Sequence, residues 1–210
     1  MNYNKEIDSY CETHSTKHSK VLNELDRETH LKTLAPQMLS GQLQGAFLRI
    51  ISKMLAPKAI LEIGTFTGYS AICLSEGLVE DGTLHTIEAN AELQYFIKKY
   101  FKKAGIEDKA KLHIGKAEEI IPNLDITFDL VFIDAGKLMY PLFYDLVIDK
   151  VRSGGIILAD NTLWSGKVLA KEKDADTQAI DNFNKKTQAD PRVENVLLPL
   201  RDGVMMIRKL

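Results

Sequence analysis

The sequence predicts an α/β fold: a mostly parallel sheet covered on both faces, finished by an antiparallel strand pair. Three observations predict it. From Lys58 onward, short apolar runs alternate with amphipathic stretches, the texture of strands joined by helical crossovers. Those runs are almost continuously apolar, as strands buried on both faces are. The last two runs break the rhythm, because only Arg201-Asp202-Gly203, with its Asp-Gly turn signal, follows NVLLPL before VMMIRK begins.

The elements follow in order. Residues from about Tyr3 to Leu34 place Ile7, Tyr10, Val21, Leu22, Leu25, Leu31 and Leu34 among charges with no Gly or Pro, and read as helix. Pro36 interrupts, since it lacks an N–H and biases Ala35 away from helical backbone. A second helix is expected over 42–55, stopped near Pro57. The strand runs are AILEI (59–63), TLHTIE (83–88), KLHI (111–114), DLVFIDA (129–135) and GIILAD (155–160). Helical stretches fall between them near 68–79, 90–104, 117–123 and 139–151, long enough for right-handed βαβ crossovers. NVLLPL (195–200) and VMMIRK (204–209) form the closing pair. No composition shift marks a boundary, so residues 1–210 are expected to form one domain: a helical extension over 1–57 and a sheet core over 58–210.

Composition narrows the function classes. Apolar residues make up 45% and charged residues 27% of the 210, which excludes a disordered chain. A net charge of −2 without a basic stripe argues against nucleic acid, RNA methylation included. No apolar run approaches a membrane span, and the start MNYNKEIDSY is no signal peptide. Cys11 and Cys73 are too few and too scattered for a disulfide framework. A cytoplasmic protein is the expectation.

Glu62-Ile63-Gly64-Thr65-Phe66-Thr67-Gly68-Tyr69-Ser70 carries the first chemical signal. Gly64 allows a sharp turn and close ligand approach, and Gly68 a tight helix start. The spacing matches neither a dinucleotide fingerprint nor a phosphate-binding P-loop. A carboxylate at Glu62 would repel a pyrophosphate but suit an ammonium group. Glu88 ends the second strand about 20 residues beyond Gly68, where a carboxylate can accept from both ribose hydroxyls. Together they point to a nucleoside rather than to a mere turn and a solvated strand end.

Asp134 closes the fourth run and Asp160-Asn161 the fifth, both at carboxyl ends of expected strands, where open α/β sheets bind ligands. Two carboxylates and an amide oxygen, without Cys or His at ligand spacing, suit a hard divalent ion such as Mg²⁺. Lys137, beside such an ion, would become a proton acceptor. Trp164 has two open readings, core packing or a flat wall for an aromatic substrate. His14 and His18, spaced i,i+4, are expected on a solvated helix face rather than on a metal.

These residues resemble the cation-dependent O-methyltransferases, the family of catechol and caffeoyl-CoA O-methyltransferases, and in particular its small bacterial members. The resemblance runs from about Thr29 to the end, through Met38 with the Gln44-Gly45 helix start, LEIGTFTGYSA (61–71), Glu88, VFIDAGKLMY (131–140), GGIILADNTLWSGKV (154–168) and PLRDGVMMIRK (199–209). It implies a class I methyltransferase sheet of seven strands, S-adenosylmethionine as donor, and a homodimer. By position, Ser40, Glu62, Gly64, Thr65, Ser70, Glu88, Ala117 and Asp134 would line the cofactor. Asp134, Asp160 and Asn161 would hold Mg²⁺, with Mn²⁺ or Ca²⁺ as alternatives, and Lys137 would be the base. Met38, Lys137 and Trp164 would face a small aromatic hydroxyl substrate of vicinal-diol type. Two departures stand out: Gly136 replaces an acid common in the Asp-Ala-Asp-Lys motif, which bears on cofactor affinity or substrate preference, and Arg201 replaces a small residue, adding charge near the substrate mouth or dimer face. The rival readings are a nucleotide-cofactor oxidoreductase, disfavoured by Glu62 and the glycine spacing, and a catalytically degenerate cofactor-binding protein.

Overall fold

The structure, a computed structural model, describes residues 5–210. Seven strands, β1 (Ala59–Ile63), β2 (Thr83–Glu88), β3 (Ala110–Ile114), β4 (Phe128–Ile133), β5 (Val151–Ala159), β6 (Val193–Leu198) and β7 (Val204–Lys209), form one sheet in the order β3-β2-β1-β4-β5-β7-β6. β1 to β5 pair in parallel, and β7 runs antiparallel to both β5 and β6. Between β1 and β4 the order reverses direction, which opens a crevice at their carboxyl ends.

Alternation along the strands sends side chains to two cores. Ile60, Leu84, Leu130, Phe132 and Leu158 pack under α2 (Lys20–Lys32), α3 (Gly41–Leu55), α4 (Tyr69–Ser75) and α5 (Gln94–Ala104). Leu61, Ile63, Val131, Ile133 and Ile157 pack under α6 (Ala117–Ile120), α7 (Tyr140–Ile148) and α8 (Ala175–Ala189). Burying a Leu or Phe contributes roughly 1.5–3 kcal/mol each, so both layers are needed to hold the sheet.

Three expectations are corrected. The helix expected over Tyr3–Leu34, whose first residues lie outside the described ones, is two helices: α1 (Lys5–Thr13) and α2. Thr13 Oγ1 and His14 Nδ1 turn back onto the Tyr10 carbonyl, and Ser19 Oγ caps α2 by accepting from Leu22 N at 3.3 Å. Polar side chains therefore end one helix and start the next without Gly or Pro. His14 and His18 consequently share no helix face; His18 sits half-buried against the Tyr69 hydroxyl. Second, α8 lies in a stretch with no helix expectation. Asp174 caps it through Thr177 N at 2.8 Å, and Thr177, Ile180, Phe183 and Thr187 form its buried stripe. Third, β6 stops at Leu198, which pairs with Val204, so the strands are joined by residues 199–203 rather than by a tight turn of Arg201-Asp202-Gly203 alone. Among the described residues no helix is long and apolar enough to cross a membrane.

Candidate active site

Strand register gathers the acidic residues. Glu62 pairs with Thr86 on β2 and Phe132 on β4, so it shares the face of Phe132, the side covered by α3 and α4. Asp134 and Asp160 each follow a paired strand end, Ile133 with Ala159, and fall on that same face one residue further on. Their backbones continue the ladder: Asp134 N donates to the Ile63 carbonyl at 2.9 Å and Asp160 N to that of Ile133 at 3.0 Å. Adjacent strands lie about 4.8 Å apart, so the two carboxyl groups stand side by side.

The first half of the crevice is the glycine loop. Gly64, at φ +97, passes over β4 so tightly that a Cβ on it would meet the Asp134 carbonyl oxygen at 2.0 Å. Gly68 begins α4 at φ +95 against Phe101. Glu88 pins the loop: its Oε2 accepts from Phe66 N at 2.7 Å and its Oε1 from Asn90 N at 2.8 Å. A carboxylate has about four acceptor positions, so capacity for two hydroxyls remains. Thr65 Oγ1 lies 2.5 Å from Thr86 Oγ1, and Thr86 in turn donates to Glu62 Oε2 at 2.5 Å. Glu62 is fully buried, and Oε1 has no hydrogen-bond partner among the described residues. Burial pushes its carboxyl up to about 8, against the hydroxyls of Ser70 and Thr86 that favour the ion. An orphaned acceptor in a dry pocket fits a cationic ligand group. Ser40, Ser70 and Ala117 are buried, on the turn before α3, on α4 and at the start of α6.

The second half surrounds the two aspartates. Desolvation raises the Asp160 carboxyl first and the Asp134 charge raises it further, while Gln44 and the Asn161 N–H oppose both. Asn161 itself is half-buried at φ +56 and donates its N–H to Asp160 Oδ1 at 2.8 Å. Two crowded carboxylates with an adjoining amide make an all-oxygen donor set that a hard divalent ion would relieve. Among the described residues no group of three or more His, Cys, Asp and Glu stands together as a metal site.

Lys137 Nζ is 3.0 Å from Asp134 Oδ1 and donates to the Tyr140 hydroxyl at 3.0 Å. Trp164 is partly buried and packs against the core under α6, α7 and α8, with Lys137 Nζ 5.9 Å from its ring, while Met38 is 58% exposed on the turn before α3.

Three contributors were not in the expected site set. Tyr140, on α7, donates to the Asp160 carbonyl at 3.0 Å with the Ile133 carbonyl at 3.3 Å, and so joins both strand tips to Lys137. Gln44 is fully buried on α3 beside Asp160. Arg201 reaches across from the 199–203 loop to Gln44 Oε1 at 2.7 Å and to the Ser40 carbonyl. Their sequence signal was weak, because each acts through a partner distant in the chain.

Comparison with known proteins places this geometry. The family model described as O-methyltransferase matches residues 12–210. A caffeoyl-CoA O-methyltransferase 1 of Eucalyptus globulus is 34% identical over 82% of this chain and 75% of its own. The structure of the Podospora anserina methyltransferase PaMTH1, bound to S-adenosylhomocysteine, superposes with TM-score 0.91 at 31% identity, covering 100% and 98% of the two chains. The O-methyltransferase TomG of Streptomyces achromogenes, in complex with S-adenosylmethionine, gives TM-score 0.92 at 27% identity over 100% and 99%. Both share the sheet described above, that of the class I methyltransferases.

Proposed function

The chain belongs to the O-methyltransferase family, and on that footing we propose that it transfers a methyl group from S-adenosylmethionine to one hydroxyl of a vicinal aromatic diol, with a divalent ion at Asp134, Asp160 and Asn161. It is an S-adenosylmethionine-dependent O-methyltransferase of the caffeoyl-CoA O-methyltransferase type. The observation that carries the finer reading is the register of Asp134 and Asp160 at adjoining strand tips, on the face that also holds Glu62.

Glu62 Oε1 would receive the cofactor's ammonium group and Glu88 its ribose hydroxyls, with Ser40, Gly64, Thr65, Ser70, Ala117 and Asp134 lining the rest. The cofactor supplies a methyl group on a sulfonium, and a bound divalent cation supplies the Lewis acidity that makes an acceptor hydroxyl nucleophilic. Lys137 Nζ, held between Asp134 Oδ1 and the Tyr140 hydroxyl, is where the acceptor's proton is taken up. Trp164 and Met38 flank the acceptor, and Tyr140 keeps the two strand tips and Lys137 in one frame. Positioning of this kind can supply several kcal/mol of the barrier reduction.

A panel of vicinal diols and isolated phenols, assayed with and without divalent ions, tests this. Methylation confined to diols and abolished by a chelator is expected. Full turnover in excess chelator would refute the ion's role. Binding of S-adenosylhomocysteine without methylation of any diol would point instead to a cofactor-binding protein. We propose also that two copies associate, supported by the exposed Ile7, Tyr10, Leu31 and Leu34 of the N-terminal segment; light scattering coupled to gel filtration measures it.

A further inference from the structure

Arg201 occupies a backbone position at φ +49, where an ordinary side chain is strained and glycine is not. Its guanidinium is half-buried, and no acidic side chain among the described residues makes an ion pair with it, although its charge reaches Asp160. Among the described residues Nη1 alone is engaged, on the Ser40 carbonyl and Gln44 Oε1. The Nε–Nη2 edge, the fork that matches a carboxylate in two parallel hydrogen bonds, meets no acceptor among them.

Gln44 beside it is engaged on both sides, its oxygen on Arg201 and its amide directed at Asp160. Trp164 Nε1 is buried and has no hydrogen-bond partner among the described residues. Its segment is tied to the Arg201 loop, Leu163 N donating to the Asp202 carbonyl at 2.9 Å and Thr162 N to that of Gly203 at 3.0 Å. Trp164 Nε1 and the open edge of Arg201 thus sit on two tied segments, and a buried donor left unpaired is costly unless a ligand supplies an acceptor.

We propose that the methyl acceptor carries a carboxylate away from its diol, and that Arg201 is the specificity-determining residue that reads it. This inference rests on the diol reading above. With a divalent ion offsetting Asp134 and Asp160, Arg201 leaves the pocket positive, which suits an acceptor that is itself an anion.

The test is calorimetric titration of the full chain, saturated with S-adenosylhomocysteine and Mg²⁺, with 3,4-dihydroxybenzoate and with its uncharged amide. Wild type should favour the acid by about tenfold or more. Arg201→Gly, which suits the local backbone, should bring the ratio near unity, and Arg201→Lys should restore part of it. An equal affinity in wild type, or an undiminished ratio in Arg201→Gly, overturns the inference alone and leaves the diol reading standing. Failure of both ligands to bind wild type overturns the diol reading and this inference with it.

Discussion

Gly64 crosses the carbonyl oxygen of Asp134 at a separation that leaves no room for a methyl group: a Cβ there would lie 2.0 Å away. The glycine loop and the acidic tip of β4 are thereby one rigid unit. Gly64→Ala should destabilise the protein by roughly 2–4 kcal/mol, combining a clash with backbone and an unfavourable positive φ. Thermal unfolding and titration with S-adenosylhomocysteine measure it; a variant with wild-type stability and affinity would contradict that coupling.

Asp160→Asn separates charge from structure. The folded-state Asp160 carboxyl is raised, so its contribution to stability is present at low pH and lost as pH climbs past the ordinary carboxylate range. A side chain that cannot ionise escapes that loss. The ligand-free variant should be more stable than wild type at pH 7 by about 1–2 kcal/mol, yet lack any stabilisation by Mg²⁺ and any turnover. Denaturant unfolding with and without Mg²⁺ gives both numbers, and retained turnover would remove Asp160 from the ion's donor set.

Glu62 should couple cofactor binding to a proton. Its carboxyl, raised to about 8, is mostly protonated at pH 7 in the free protein, and a cationic ligand group favours the ion. Binding should therefore release a proton, visible as a dependence of calorimetric heat on buffer ionisation enthalpy, and should weaken as pH falls below 8. In Glu62→Gln that dependence should vanish and affinity fall by roughly tenfold or more. For the free protein the sign is opposite: stability from Glu62 is full below its unfolded value and lost as pH rises through about 8.

Tyr140 is a positioning residue. Tyr140→Phe removes the donor to the Asp160 carbonyl and the acceptor for Lys137 Nζ. A stability loss of about 1–3 kcal/mol is expected, with a kcat decrease of roughly tenfold or more and little change in the KM for S-adenosylmethionine. A parallel rise in that KM would show that the hydroxyl supports the whole crevice instead.

The central strands were readable because burial on both faces leaves a nearly continuous apolar run, as in AILEI and FDLVFI, each broken by a single carboxylate. Asp134 and Asp160 were readable for the same reason, being the first polar residues after such runs. The break between α1 and α2 was not, since Thr13, His14 and Ser19 end and begin helices through side-chain bonds rather than through Gly or Pro. α8 hid because two of its four buried positions are threonines, which dilute the apolar period. Tyr140, Gln44 and Arg201 acquire their places only when α7, α3 and the 199–203 loop meet, which no local pattern encodes.

β7, the final strand, lies between β5 and β6 instead of at the sheet's margin. During synthesis β6 therefore emerges with no neighbour to join, and the gap beside β5 waits for residues 204–209. Removing those few residues would strip two strands from the sheet, and with them the backbone brace that 202–203 gives to 162–163.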